Sequence, residues 1–221
     1  MAQILFTGRS GGVSRQEFLS LNLGDHVGDS LGDVYANRGI VNRALSQKTP
    51  LYMNQVHGDN VVEVDSNTQF PVTADAMVTR ERGLPLVVLT ADCLPILISG
   101  EFSVAAIHAG RRGVMNGIIG KTISLMKNFG ESKFIATIGP AICRDCYEVD
   151  LKMYQEVVKN FPLMATSDSQ HCLDLARESS SQLDSAGVQV KQINVCCFEE
   201  SNYFSYRREG RTGRGAGVVV L

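Results

Sequence analysis

Apolar residues fall in short, dense runs along most of the chain, and Gly, Pro or Asp closes nearly every run. Runs of this kind, rich in Val and Ile, predict strands. They lie at Ile4 to Thr7, Leu51 to Gln55, Val61 to Val64, Ala76 to Val78, Leu84 to Thr90, Leu94 to Ile98, Ser103 to His108, Phe134 to Gly139, Val190 to Val195 and Gly217 to Leu221. Four longer stretches repeat their apolar positions with the period of a helix: Ser30 to Leu45, Gly113 to Gly130, Asp150 to Phe161 and Leu173 to Gly187. Gly130 and Gly187 stand where a helix C-terminus favours glycine. Strands and helices interleave, which predicts an α/β fold, a layered sandwich with mixed sheets. The pattern does not fix the strand order. Apolar residues are spread evenly, without repeat, low-complexity tract or Pro/Ser-rich linker, so residues 1–221 are expected to form one domain.

Composition narrows the partners. Twenty-one Lys and Arg nearly balance 23 Asp and Glu, for a net charge of -2, so no global basic field holds nucleic acid or an anionic membrane. Small molecules or proteins are the expected partners. "MAQILFTGRSGG" has neither a basic leader nor a long apolar core, and no uncharged apolar run approaches the roughly 18 residues of a membrane span. A cytoplasmic protein is expected. In that compartment the six cysteines predict free thiols or metal ligands before disulfides.

Chemistry concentrates in "TADCLPILISGEFSVAAIHAGRRG", Thr90 to Gly113. Cys93 stands where one apolar run breaks before the next, and His108 ends a run just before a helix. Strand ends of this kind are where α/β proteins expose functional groups. His57, in "NQVHGDNVVEVD", occupies a similar place between a short strand and a glycine turn. Two imidazoles and one thiolate make a three-ligand zinc set, which leaves a fourth position for water or substrate. Zinc lowers the pKa of its water towards neutrality. Asp92, beside Cys93, is placed to orient a ligand or carry a proton. The same residues admit other readings: Cys93 as a small core side chain, or Cys93 and His108 as a nucleophile and its base.

Several motifs in one order settle more than spacing can. "FTGRSGGVS", "SLNLGDHVGD", "NQVHGDNVVEVD", "ADAMVT", "LTADCLPILI", "AAIHAGRRG", "IGPAICRDCYEV" and "FSYRREGRTGR" together resemble the YfiH-type family, from about Phe6 to the C-terminus. That family carries two labels, multicopper polyphenol oxidase or laccase, and purine nucleoside phosphorylase with adenosine deaminase activity. The resemblance implies zinc held by His57, Cys93 and His108. It also implies phosphorolysis of adenosine, inosine, guanosine and methylthioadenosine, and hydrolytic deamination of adenosine. Purine nucleosides and inorganic phosphate are then the partners. The chain departs from the family at Arg111, where Trp is usual, at Cys143, where Gly is common, and in "GRGAG", where a larger residue is common.

Phosphate requires guanidinium forks or backbone N–H groups. Arg9 and Arg38, both in family motifs, are the expected holders, ahead of Arg207, Arg208 and Arg214. Gln55, Phe204 and Tyr206 are candidates for the base, and Arg111 for the wall beside the metal. "CRDC", Cys143 to Cys146, has the spacing of half a zinc knuckle, with Cys196 or Cys197 as its other half; partly buried thiols are the simpler expectation. His171 and Cys172 read as a polar lead into a helix, and His26 as a turn or pocket residue. Two rival functions remain: a copper oxidase of phenols, and a zinc-stabilised binding module using its Arg-rich C-terminal loop. Cu²⁺ competes well for such ligands. Four histidines, however, cannot build the trinuclear cluster of a multicopper oxidase.

Overall fold

A computed structural model describes residues 2–45, 48–166 and 171–221. In chain order the strands are β1 (Gln3–Phe6), β2 (Leu51–Asn54), β3 (Val61–Glu63), β4 (Val72–Thr73), β5 (Ala76–Thr79), β6 (Leu86–Thr90), β7 (Leu94–Ser99), β8 (Val104–Ala109), β9 (Ile135–Ile138), β10 (Gln189–Gln192) and β11 (Gly215–Val220). The α-helices are α1 (Leu31–Leu45), α2 (Arg111–Met115), α3 (Ile118–Lys127), α4 (Leu151–Asn160), α5 (Leu175–Ser185) and α6 (Tyr206–Glu209).

Two mixed sheets form, one ordered β1-β11-β6-β2-β4 and the other β10-β9-β7-β8-β5-β3. Strand alternation explains why they stack. Leu86 and Val88 of β6 meet Leu97 of β7 and Val104 and Ala106 of β8 in a core between the sheets. The opposite face of β7 and β8, with Ile96, Ile98 and Ile107, is covered by Ile118, Ile119, Ile123 and Met126 of α3 and by Leu175 and Leu183 of α5. The opposite face of β6, with Val87 and Leu89, packs against Val41 of α1 and against Leu21 and Leu23. These strands are buried on both faces, which is why their apolar runs are continuous rather than alternating. The result is α1 with its neighbouring segment, sheet, sheet, helices: the layered α/β sandwich expected. No helix of the described residues is long and apolar enough to cross a membrane.

The expected helix from Gly113 to Gly130 is instead two, and it starts earlier, at Arg111. Gly117 breaks it with φ 82°, a left-handed backbone that glycine alone adopts at little cost. The break separates α3 from α2, which follows β8 after the single residue Gly110. The two-residue β4 and the one-turn α6 have too few residues to carry a period, and the apolar pattern did not reveal them. Asp150 and Asp174 begin α4 and α5 by accepting from Met153 N and Arg177 N, each at 2.9 Å.

Candidate metal centre and its pocket

The inter-sheet face of β8 carries Val104, Ala106 and, at its end, His108. In the β7–β8 register Leu94 opposes Ala109 and Pro95 opposes His108. Cys93 therefore arrives at the same mouth of the inter-sheet space. His57 follows β2 of the other sheet, so the centre joins both sheets at one end. The ligating atoms of His57, Cys93 and His108 lie within 4.8 Å of one another. The two imidazoles stand edge to face, ring centroids 4.6 Å apart.

Asp75, fully buried just before β5, organises this meeting, a role the sequence had not shown. Its carboxylate accepts from the backbone N–H groups of His57 at 3.0 Å, Gly58 at 2.7 Å and Val56 at 3.3 Å. It lies 2.7 Å from His108 Nδ1, which donates to it and thereby leaves Nε2 as the ligating atom. Burial opposes ionisation of Asp75, but the hydrogen bonds from His108 and Gly58 outweigh it and keep its pKa below the usual value. The same grip holds His57 at φ 55°, a left-handed backbone uncommon outside glycine. Gly110 leaves the room: a Cβ there would sit 3.2 Å from His57 Cδ2 and 3.4 Å from Cys93 Sγ.

The electrostatics favour a cation. Burial resists ionisation of Cys93, yet His108 and His57 outweigh it and bring the thiol down to about 6. Burial likewise resists charge on His108, but the Cys93 thiolate and Asp75 raise it to about 9. A metal ion would displace that proton and take over its charge. Two imidazoles and a thiolate suit zinc, and also copper.

A pocket of 310 Å³ opens on this cluster, lined also by His26, Gln55, Tyr147, Tyr206, Arg207 and Arg214. Among the residues expected here, Asp92 lines the pocket with its backbone at φ 97° and its carboxylate turned to Ser205 Oγ and Arg207 N, each at 2.7 Å. It ties the C-terminal loop to the site. Gln55 also lines the pocket, but both ends of its amide are taken by Leu89 N (2.8 Å) and Leu89 O (2.9 Å).

Arg9, Arg38 and Arg111 do not line it. Arg9 pairs with Glu209 at 2.7 Å and covers the Phe204 ring at 4.7 Å. Arg38 pairs with Asp25 at 3.1 Å and stacks 3.9 Å from the Tyr52 ring. Arg111 heads α2, 3.8 Å from Met115 Sδ, and its charge lowers the Tyr147 phenol that burial raises. The cations of the pocket are Arg207 and Arg214 instead. Arg214 Nη1 donates to Thr212 O and Gly213 O, while its Nε and Nη2 have no hydrogen-bond partner among the described residues. His26 stands beside them; burial and then Arg214 lower its pKa. His171 lies elsewhere, 5.5 Å from the Tyr154 ring.

A family profile described as multi-copper polyphenol oxidoreductase laccase matches residues 3–221. A Corynebacterium glutamicum protein named as a purine nucleoside phosphorylase is 41% identical over 229 residues, covering 98% of this chain and 93% of its own. Among solved structures, a Neisseria meningitidis protein superposes with a TM-score of 0.89 at 35% identity, over 100% of this chain and 94% of its own. Bacillus licheniformis YfiH superposes with the same score, 0.89, at 27% identity, over 100% of this chain and 92% of its own. With its motifs, its full-length match and its fold in agreement, the chain belongs to the YfiH-type family, whose profile bears the laccase description.

Proposed function

We propose that the protein is a purine nucleoside phosphorylase whose centre is a zinc ion held by His57, Cys93 and His108. The observation that carries the proposal is one pocket of nucleoside size joining a three-ligand centre to two cationic side chains. Similarity to relatives named for this activity supports it. Adenosine, inosine, guanosine and methylthioadenosine are the proposed substrates, with hydrolytic deamination of adenosine as a second reaction of the same pocket.

The residues divide the work as follows. Arg214, with Nε and Nη2 available, and Arg207, whose Nη1 donates to Glu148 O at 2.7 Å, bind the phosphate dianion. They bring one of its oxygens to C1′ of the ribose. That oxygen forms the new bond, the glycosidic bond breaks, and its electron pair leaves with the purine, which takes up the proton that the hydrogenphosphate gives up on becoming the ester. Tyr147, Tyr206 and Ile142 supply flat and apolar surface for the base and ribose. Asp75 fixes the ring of His108, and Asp92 fixes the backbone of Arg207. Arg9 and Arg38 brace the walls rather than touch the anion, and Arg111 acts on the pocket through Tyr147. When bound, the zinc supplies Lewis-acid polarisation to whatever oxygen or nitrogen faces it.

Incubating purified protein with adenosine, with and without phosphate, tests the proposal. Free adenine and ribose 1-phosphate are expected with phosphate, and inosine without it. Recovery of unchanged adenosine in both arms after zinc loading contradicts it. The laccase description and the copper affinity of such ligands favour one second reading, a copper-dependent oxidation of phenols. Oxygen uptake with a phenol by copper-loaded protein, with no nucleoside turnover, would select it.

A further inference from the structure

Two loops beside the pocket meet at a second group of ligating atoms. Cys143 and Cys146 belong to "CRDC", a tight turn in which Cys146 N and Tyr147 N donate to Cys143 O at 3.2 and 3.1 Å. Cys196 comes from the loop after β10, set by a parallel bridge between Ala141 and Cys196 and by Cys197 N donating to Ala141 O at 2.9 Å. Cys143 N points at Cys196 Sγ from 3.4 Å, the backbone-to-sulfur contact that steadies a thiolate. Glu199 adds a carboxylate, and the ligating atoms of all four side chains lie within 4.8 Å of one another. Cys197 is not among them: it is buried, and its carbonyl accepts from Arg208 Nη1 at 2.6 Å.

We infer that Cys143, Cys146, Cys196 and Glu199 form a second metal site, which takes a thiophilic divalent cation, zinc, in a structural role. A tetrahedral zinc with Zn–S bonds of about 2.3 Å separates its sulfurs by about 3.8 Å, a spacing compatible with ligating atoms that all lie within 4.8 Å of one another. No disulfide joins any of the six cysteines, which leaves these three sulfurs available as ligands. Three thiolates, one carboxylate and a divalent ion sum to two negative charges, in a cleft whose lining carries Arg144 and Arg177 together with Asp145, Asp174 and Asp184. That cleft, 820 Å³ and bordered by Cys143, Cys196 and Glu199, gives the ion a way in. Binding releases the thiol protons, as ligation by thiolates requires.

The ion would act as a clamp. Ile142 N donates to Asp92 O at 2.9 Å, and Ile142 and Tyr147 wall the nucleoside pocket on either side of the "CRDC" turn. The partner loop leads through Cys197 and Phe198, both bound by Arg208, to Ser205 and Arg207 on Asp92. Joining the loops by one ion fixes both walls without touching the substrate.

The test loads full-length, reduced protein with Zn²⁺, removes the excess, and counts zinc per chain by elemental analysis. Cys146→Ala is expected to hold one equivalent fewer than wild type, whereas Cys93→Ala keeps the equivalent that Cys146→Ala loses. This separates the inference from the fate of the first centre. Loaded with Co²⁺, wild type should show a strong thiolate charge-transfer band that survives in Cys93→Ala and largely disappears in Cys146→Ala. Equal zinc content in wild type and Cys146→Ala overturns the site, as does an intact mass lower by two hydrogens with these cysteines disulfide-linked. Where Cys146→Ala does not fold, wild type answers alone. Zn²⁺ must slow alkylation of Cys143, Cys146 and Cys196 together, and unchanged labelling rates contradict the inference.

Discussion

At the His57, Cys93 and His108 cluster, every ligand stands at the end of a strand or in the turn beside it, and the buried carboxylate of Asp75 holds two of the three. At the Cys143, Cys146, Cys196 and Glu199 cluster, every ligand comes from a loop, and one sulfur, that of Cys196, is met by a backbone N–H. The first has mixed nitrogen and sulfur donors, three in number, and opens on a pocket with two arginines. The second has four donors, sulfur-rich, and three of them border a different cleft. Three ligands on a rigid frame leave a coordination place for chemistry, whereas four ligands on loops close around an ion and order the chain. The difference lies in where the ligands are anchored more than in what they are.

The comparison is broken most sharply at His108. His108→Ala removes a ligand from the rigid cluster, and nucleoside turnover is expected to fall by roughly 10³-fold, several kcal/mol of lost electrostatic stabilisation. The fold should survive, because the strand around His108 is packed by Ala106 and Ile107. Steady-state kinetics and circular dichroism check both halves; gross unfolding would make this centre structural like the other.

Asp75→Asn keeps the shape but presents an amide donor to groups that already donate. Turnover or zinc affinity should drop by about 10- to 100-fold, as when a partner of a metal-bound histidine is lost. The one or two backbone N–H groups among residues 56–58 left facing the amide nitrogen should cost about 1–3 kcal/mol, read from denaturant melts. An equal loss of zinc from the cysteine cluster would show that the two centres are not independent.

The smallest effect concerns Glu209, the last residue of α6. Burial opposes ionisation of Glu209, but Thr212, Arg9 and Arg208 outweigh it and hold its pKa below the ordinary carboxylate value. Its folded-state pKa being depressed, its stabilisation is present above the ordinary carboxylate range and is lost as the pH falls through the folded value. Glu209→Gln should lower stability at neutral pH by up to about 1 kcal/mol. The gap from wild type should close on acidification, and a gap that widens in acid would contradict the assignment.

Much of this was legible in the chain. His57, Cys93 and His108 stood out as polar residues at the ends of short runs, but the pattern left other readings open for Cys93 and His108, and it was the resemblance to the YfiH-type family that implied the three as one ligand set. Asp75 was hidden because "TADAMV" reads as a turn leading into a strand; its value depends on the turn at residues 56–58 folding over it, a contact across the fold with no local signal. The arginines show a similar limit. Arg9 and Arg38 sit in conspicuous motifs yet pair with Glu209 and Asp25, whereas Arg207 and Arg214 owe their place to Asp92 and to the final approach of β11. The helix from Gly113 failed at Gly117, where the apolar period continues through a backbone that does not.

Removing zinc from the wild-type protein with a chelator, while following adenosine phosphorolysis and melting temperature together, tests the central claim most directly. Turnover should disappear with the metal and return on adding Zn²⁺, with the domain still folded at the assay temperature. Full phosphorolysis by protein shown by elemental analysis to be free of metal would contradict it.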